Sequence, residues 1–310
     1  MLLAAFAAVS GSGSSSATAG QTRILAIPSF ERLLATAYDP RGKAAFLDFA
    51  KWSFAPADER SHLNGKVCGF LDSRGYSQAM VRTIQLTKSR LGAIALWRKA
   101  EDAQAQGEEL ASRIDHSTKS ANPDEAFLQR SAEVDQAWES VTAKRRSDAA
   151  TEVVAWRTGA TVCNLQHAHA KSAETFLDKH GWPKESDFGP RLADALWLIV
   201  DHATNDRNLQ SRALKSMEPL LATKDVNAQH FATLTDRVSL ARDGHQIYGT
   251  QLTEGAGGCL APDRLADTNQ VDKLRSVLGL VPLVEATVAT AAKYARAACT
   301  VSLQTAGQNQ

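Results

Sequence analysis

The spacing of apolar residues constrains the fold of this chain more than any other feature of its sequence. Apolar positions recur every three or four residues along most of the 310 residues, and alternating runs of Val, Ile and Thr are nearly absent. Alanine and leucine, which favour helices, are abundant, whereas aromatic residues make up only 6%. The pattern predicts an all-α protein, a bundle-like array of helices with one long irregular, glycine-containing loop at 243–266 in the C-terminal half.

Start and stop signals divide this array into helices and two regions. Gly181-Trp182-Pro183 ends a helix, because glycine suits a C-terminal cap and proline cannot continue the hydrogen-bond ladder. We predict an N-terminal helical region at 20–180 and a C-terminal helical domain at 181–310. The helices of the first region are expected to begin at Pro28 and Ser29 and to lie near 42–52, 57–73, 77–117 (with any break at Gly107), 123–157 and, after a break at Gly159, 163–179. Those of the second are expected near 190–203, 206–222, 227–242, 268–278 and 283–303.

The first residues look like a cleavable export signal. An apolar run at 2–9 precedes a Gly/Ser stretch that ends in Ala17-Thr18-Ala19, a small-x-small pattern that signal peptidases accept. The run is too short for a membrane-spanning helix, which needs about 20 apolar residues, and no other segment reaches that length. No basic residue precedes Leu2, so an unstructured low-complexity tail is the alternative. We predict a signal peptide at 1–19 and a periplasmic or secreted protein.

Four cysteines are spread along the chain, and no two of them form a C-x-x-C pair typical of zinc or redox sites. In an oxidising compartment an even number of cysteines most simply forms disulfides. We predict pairing of Cys68 with Cys163 and of Cys259 with Cys299. Each pair then stays within one half of the chain. Four buried free thiols are the alternative if the protein is not exported.

The charge balance argues against binding to polyanions. The 35 basic and 34 acidic residues leave a net charge of +1, so no overall field attracts nucleic acid or an anionic membrane surface. We therefore expect no nucleic-acid partner and no transmembrane segment. A small polar ligand or a peptide is the expected partner, and no motif specifies a protein partner.

Several ordered motifs lie between Gly181 and Val284. The strongest is Gln-Ile-Tyr-Gly-Thr-Gln at 246–251. The others are Gly181-Trp182-Pro183, Trp197 with His202 and Asp206, Thr235-Asp236-Arg237-Val238, Val271-Asp272-Lys273-Leu274-Arg275, Gly279-Leu280 and Pro282-Leu283. This region resembles a bacterial family known only as domain of unknown function 6624 (DUF6624). Two departures are Thr204, where the family usually has an acid, and Cys259 within a glycine-rich run. The family has no established activity, so the resemblance implies a site without giving its chemistry.

His202 is the first candidate catalytic residue. It lies at the edge of the apolar stripe of the helix predicted at 190–203. If that helix continues, Asp206 lies four residues later on the same side, within reach of the imidazole. A carboxylate there would fix the ring tautomer and favour the imidazolium, as acid–base catalysis or metal binding requires. Alternatively, Asp206 caps the next helix and His202 is a hydrogen-bonded residue at the edge of the core.

The remaining candidates would bind a ligand. The helix predicted at 227–242 is apolar on both sides and should be buried, so Asp236 and Arg237 need partners. They would either line a polar pocket or brace the loop that follows. In that loop Gln246, Tyr248 and Gln251 combine amides and a phenol with glycine-permitted turns, a combination that suits orienting a polar ligand.

No motif identifies a cofactor or a nucleophile. The chain contains no G-x-S-x-G sequence, and its glycine-rich run lacks the lysine of a phosphate-binding loop. His167 and His169, two residues apart on a helix, would point to nearly opposite sides, so we predict no metal site.

Three hypotheses about function remain. The first is an exported enzyme, for example a hydrolase, in which Asp206 orients His202 and the other candidates hold the substrate. The second is a non-catalytic module that binds a polar ligand through the same residues. The third is a structural or protein-interaction module of the cell envelope.

Overall fold

The computed structural model describes residues 27–54, 75–117, 123–142, 149–204 and 206–299, and the structural statements below concern these residues. They are mainly helical, and their only sheet has two short antiparallel strands. The all-α prediction is therefore confirmed. The predicted signal peptide at 1–19 and the predicted helix at 57–73 lie outside the described residues.

The helices follow one another in two series, before and after Gly181. The first series comprises α1 (Phe30–Tyr38), α2 (Lys43–Phe54), α3 (Tyr76–Gln85), α4 (Arg90–Ser117), α5 (Pro123–Thr142) and α6 (Ala149–His180). The second comprises α7 (Glu185–Phe188), α8 (Pro190–His202), α9 (Arg207–Met217), α10 (Ala228–Asp243), β1 (Leu252–Glu254), β2 (Leu260–Pro262), α11 (Val271–Val277) and α12 (Leu283–Lys293). Short 3-10 turns at Glu218–Leu220 and Ala256–Gly258 complete the second series.

Several predicted helix boundaries are wrong, including the end of the helix predicted at 206–222, because α9 ends at Met217. The break in the segment 77–117 lies at 86–89, and α4 runs without interruption through Gly107. A Cβ at Gly107 would lie 2.4 Å from the indole ring of Trp138, so this glycine permits close packing against α5. Helix α6 likewise continues through Gly159, and α12 ends at Lys293, ten residues before the predicted end.

The buried apolar side chains form two cores. The first lies among α1 to α4 and the beginning of α6, where the rings of Phe30 and Trp97 stack with their centroids 4.6 Å apart. The second lies among α5, the end of α6 and α7 to α10, and it includes Leu128, Phe176 and Leu196. Helices α5 and α6 therefore contribute to the core of the C-terminal half, although both precede residue 181.

The long loop after α10 contains regular structure. Strands β1 and β2 pair as a small antiparallel hairpin, and Cys259 between them forms a disulfide with Cys299. This confirms the second predicted cysteine pair. Cys68 lies outside the described residues, so its pairing with Cys163 stays a prediction. None of the helices in the described ranges is long and apolar enough to cross a membrane.

Candidate functional site

Asp236 braces the loop that follows its helix. Its side chain, on α10, is completely buried, and one carboxylate oxygen accepts hydrogen bonds of 2.7 Å from the backbone N–H groups of Ile247 and Tyr248. The other oxygen accepts from the N–H and the hydroxyl of Thr250, at 2.7 and 2.8 Å. Four donors thus use the acceptor capacity of this carboxylate, and they hold the loop against α10.

Gln246 fixes the same loop from within. Its buried amide donates to the carbonyls of Gln251 and Asp263, at 2.9 and 2.8 Å, and accepts from the N–H of Gln251 at 2.9 Å. Gly249 has a positive φ of 73°, and a Cβ there would lie 2.4 Å from Leu283 on α12. The 246–251 motif therefore packs tightly because its backbone approaches α12 closely.

Arg275 and Asp272 extend this bracing to the C-terminal helices. The guanidinium of Arg275, only 1% exposed, donates to the carbonyls of Val281 and Tyr248 at 2.6 and 2.7 Å. Asp272 accepts a hydrogen bond of 2.7 Å from the N–H of Leu283 at the start of α12. Burial lowers the pKa of Arg275, while the charges of Asp272 and Asp236 oppose that shift.

Two of the predicted ligand-binding residues, Tyr248 and Gln251, have different neighbours. Tyr248 is half-buried against the second core, and burial, with Asp236 and Glu218 adding to it, raises the pKa of its hydroxyl. Gln251 contacts the carbonyl of Thr233 at 3.4 Å. These two side chains lie on the braced loop.

Arg237 points away from that loop toward the end of α8. Its guanidinium makes a two-pronged contact with the carboxylate of Asp201, at 2.7 and 3.0 Å. Asp201 is buried, so this geometry satisfies both of its oxygens. The pair therefore ties α10 to α8, beside His202.

Asp206 caps a helix instead of orienting His202. Its carboxylate accepts a hydrogen bond of 2.9 Å from the N–H of Leu209, and it is the N-cap of α9. Helix α8 ends at His202, so the continuous helix needed to bring the two side chains together does not form. The capping alternative describes Asp206 correctly.

The carboxylate next to His202 belongs to Asp135 on α5. His202 Nδ1 lies 3.4 Å from Asp135 Oδ2, and His202 Nε2 lies 3.8 Å from Glu139 Oε2. The other oxygen of Asp135 is 2.8 Å from Nδ1 of His169 on α6. The Asp135 side chain is only 2% exposed, so a buried carboxylate is shared between two imidazoles contributed by different helices.

The charges in this cluster shift the pKa values of His202 and Asp135. Burial is the largest single influence on His202 and would lower its pKa, but the hydrogen bond and charge of Asp135 together with the charges of Glu139 and Asp201 outweigh it, so the pKa is raised. Burial would likewise raise the pKa of Asp135, yet hydrogen bonding to His169 and His202 lowers it. Both shifts favour an ion pair between an Asp135 carboxylate and a His202 imidazolium.

His202 also borders a small cavity of about 90 Å³. Cys163, Gln166 and His167 of α6 line one side of it, and Ala203, Thr204 and Asp206 line the other. The described residues thus bring His202 and Asp206 to one cavity, while Asp236 and Gln246 are engaged in the braced loop. His169 is buried and His167 is exposed, in agreement with the expected opposite directions.

Asp135 and Glu139 did not stand out in the sequence, and His169 was considered there only together with His167 as a metal pair. Asp135 lies 67 residues before His202, a separation that no local motif reveals. A signal was nevertheless present, because Asp135 falls on the buried face of α5 marked by Leu128 and Ala132. An acid on such a face needs a partner. Within the described ranges, no group of three or more His, Cys, Asp or Glu side chains could hold a metal ion.

Comparisons with known proteins agree with the resemblance seen in the sequence. No curated protein and no solved structure matches this chain. The model of a family of unknown function, DUF6624, matches residues 128–295. The match includes α5 and α6, and so it covers Asp135 and His169 as well as His202 and the braced loop. Because it extends over more than half of the sequence, the chain belongs to the DUF6624 family.

Proposed function

We propose that this chain is an exported protein that binds a small polar ligand in the cavity beside His202, with His202 as the hydrogen-bond or proton donor. The observation that carries the proposal is the buried Asp135 carboxylate, which lies between His169 and His202. His202 also borders the cavity. A buried charge of this kind is costly, and it commonly serves to tune a functional group.

The volume of the cavity and the charges around it limit the size and the charge of a ligand that can bind there. A volume of about 90 Å³ has room for a small functional group, so the rest of a larger ligand would extend into solvent. Asp135 favours the imidazolium of His202, which offers N–H donors to an acceptor on the ligand. Asp206 and Glu139 add negative charge nearby, and this disfavours a polyanionic ligand. A neutral polar molecule with a hydrogen-bond acceptor fits best.

Acid–base catalysis is the second candidate function. His202 Nδ1 and Asp135 Oδ2 face each other at 3.4 Å, and neither atom has another hydrogen-bond partner among the described residues. Such a pair can tighten when a substrate binds, and the imidazole can then transfer a proton with its tautomer fixed by the carboxylate. In this role Asp135 orients His202, whereas Asp206, four residues after His202, caps α9.

The loop residues fit the structural hypothesis better. Asp236, Gln246 and Gln251 direct hydrogen bonds to the chain itself, so we propose that they hold the C-terminal segment in place. Arg237 supports the His202 region indirectly through Asp201.

Two observations support export. The Ala17-Thr18-Ala19 sequence fits a signal-peptidase site, and the disulfide between Cys259 and Cys299 would persist in an oxidising compartment. We expect a protein isolated from the periplasm or medium to begin at Gly20 by mass spectrometry. A chain that retains its first residues in the cytoplasm would contradict export.

A thermal-shift screen with a library of small polar metabolites tests the ligand site. We expect at least one compound to stabilise the wild-type protein but not the His202→Gln variant. His245→Gln is the matched control, because this partly exposed imidazole does not line the cavity, and it should keep the response. Equal stabilisation of all three proteins, or no stabilising compound, would refute the proposal.

A further inference from the structure

A second concave surface lies between α5 and α8, apart from the His202 cavity. This α5–α8 groove has a volume of about 500 Å³, within the range typical of small-molecule sites. Its lining combines the apolar side chains of Ala132, Ala195 and Leu198 with charged and aromatic side chains. It is therefore large enough for a ring-containing ligand.

A rigid aromatic pair forms one wall of the groove. The rings of Trp197 and His230 stack with centroids 3.9 Å apart and planes within 5° of parallel. The indole N–H of Trp197 donates to the backbone carbonyl of His230 at 3.2 Å, so the position of the ring is fixed before any ligand arrives. A preorganised flat wall favours a ligand with a flat ring of its own.

The charges around the wall favour a cation. Asp194 Oδ1 lies 3.6 Å from Nδ1 of His230, and the Asp194 side chain is 55% exposed to the groove and solvent. Burial lowers the pKa of His230, against the opposing charges of Asp194 and Asp201, and this shift favours the neutral imidazole. Glu133 lies 4.0 Å from a highly exposed Arg191. With two carboxylates and one guanidinium, the groove lining carries a net negative charge.

We propose that the α5–α8 groove binds a small molecule that combines a flat ring with a protonated amine. The ring packs against the wall formed by Trp197 and His230, and the amine pairs with Asp194. A cation near an indole face gains a further attraction. This site goes beyond the ligand cavity proposed above, because it does not use His202 or Asp135.

Titration with tyramine tests this proposal by NMR. The protein has six tryptophans, and comparison with the spectrum of a Trp197→Leu variant assigns the indole N–H signal of Trp197. We expect saturable shifts of that signal with a Kd on the order of 1 mM, which suits a probe with few atoms. The uncharged p-cresol and the anionic 4-hydroxyphenylacetate should bind more weakly, in that order.

Two variants decide which groups are responsible. Asp194→Asn should weaken tyramine binding about three- to fivefold, as expected for a partly exposed ion pair, and leave p-cresol binding unchanged. His202→Gln should bind tyramine like the wild type, which separates this site from the His202 cavity. The proposal is overturned if p-cresol binds as tightly as tyramine, if Asp194→Asn has no effect, or if no signal saturates by about 10 mM.

Discussion

Asp135 is the residue on which the His202 site depends. It comes from α5, whereas its two histidine partners come from α6 and α8, so the cluster exists only when three helices pack together. A substitution that removes the charge of Asp135 should therefore change the pKa of His202, although Asp135 is far from His202 in the sequence.

The pKa of His202 measures this dependence. We expect the ring-proton chemical shifts of His202 in wild-type protein to titrate above the ordinary histidine value of about 6.5. In Asp135→Asn the main opposing charge is absent, so burial should bring the pKa of His202 below that of the wild type. Glu139→Gln, which alters the more distant carboxylate at 3.8 Å, should cause a smaller decrease. The reverse order of the two variants would contradict the arrangement.

The same shifts predict how stability depends on pH. The folded pKa of His202 is raised, so its contribution is complete below its unfolded pKa of about 6.5 and is lost as the pH rises through the folded value. The folded pKa of Asp135 is lowered, so its contribution is complete above its unfolded value of about 3.9 and is lost as the pH falls through the folded one. The difference in unfolding free energy between wild type and His202→Gln should therefore be largest between about pH 4 and 6.5. A difference that grows toward pH 9 in urea titrations would contradict this.

Asp236 should matter for stability rather than for ligand binding. In Asp236→Asn an NH2 group replaces one carboxylate oxygen, and it cannot accept the hydrogen bonds that this oxygen now receives. We expect the free energy of unfolding in urea to fall by about 2–4 kcal/mol, because buried donors lose their acceptor. Thr250→Val removes the hydroxyl that donates to Asp236 and accepts a longer hydrogen bond of 3.3 Å from Gln251, and it should cost about 1 kcal/mol. Near-equal losses would show that the shared acceptor is not the main effect.

At the scale of elements, glycine is needed for two separate reasons, at the end of α6 and in the braced loop. Gly249 and Gly181 both have positive φ, 73° and 70°, but only Gly249 lies against another element. Gly181→Ala should cost about 1 kcal/mol from backbone conformation alone, since no atom lies within 4 Å of its added Cβ. Gly249→Ala should cost about 1–3 kcal/mol more, because its Cβ would collide with Leu283. Thermal or urea unfolding measures both, and equal losses would exclude the packing contribution.

At the scale of the whole molecule, the disulfide ties the C-terminal end to the hairpin. Cys259 and Cys299 are 40 residues apart, so in the chain-entropy model their bond stabilises the fold by about 4 kcal/mol. We expect calorimetry of the Cys259→Ser, Cys299→Ser double variant to show a lower Tm. Arg296→Gln is a control for the nearby bonds of Arg296 to Gly258 and Glu254 and should cost less. An unchanged Tm in the double variant would mean that this end detaches before the core unfolds.

Local features of the fold could be predicted from the sequence. Ser29, Asp206 and Asn227 cap the starts of α1, α9 and α10, and Gly244 ends α10 in a left-handed conformation. Each of these depends on side chains and backbone groups within about four residues of one another. The all-α class and most helix positions followed for the same reason.

The sequence by itself thus determined the all-α class, most helix positions and the family motifs. The pairing of Cys259 with Cys299 was one of several possible pairings until the structure showed it. Only the tertiary structure decided that α4 and α6 continue through Gly107 and Gly159, and that His202 pairs with Asp135. The physical reason is that a side chain's partner across helices depends on how those helices pack, and Asp135 on α5 lies 67 residues before His202 on α8. A pattern with a period of 3.6 residues identifies a buried face, but not the residue that it faces.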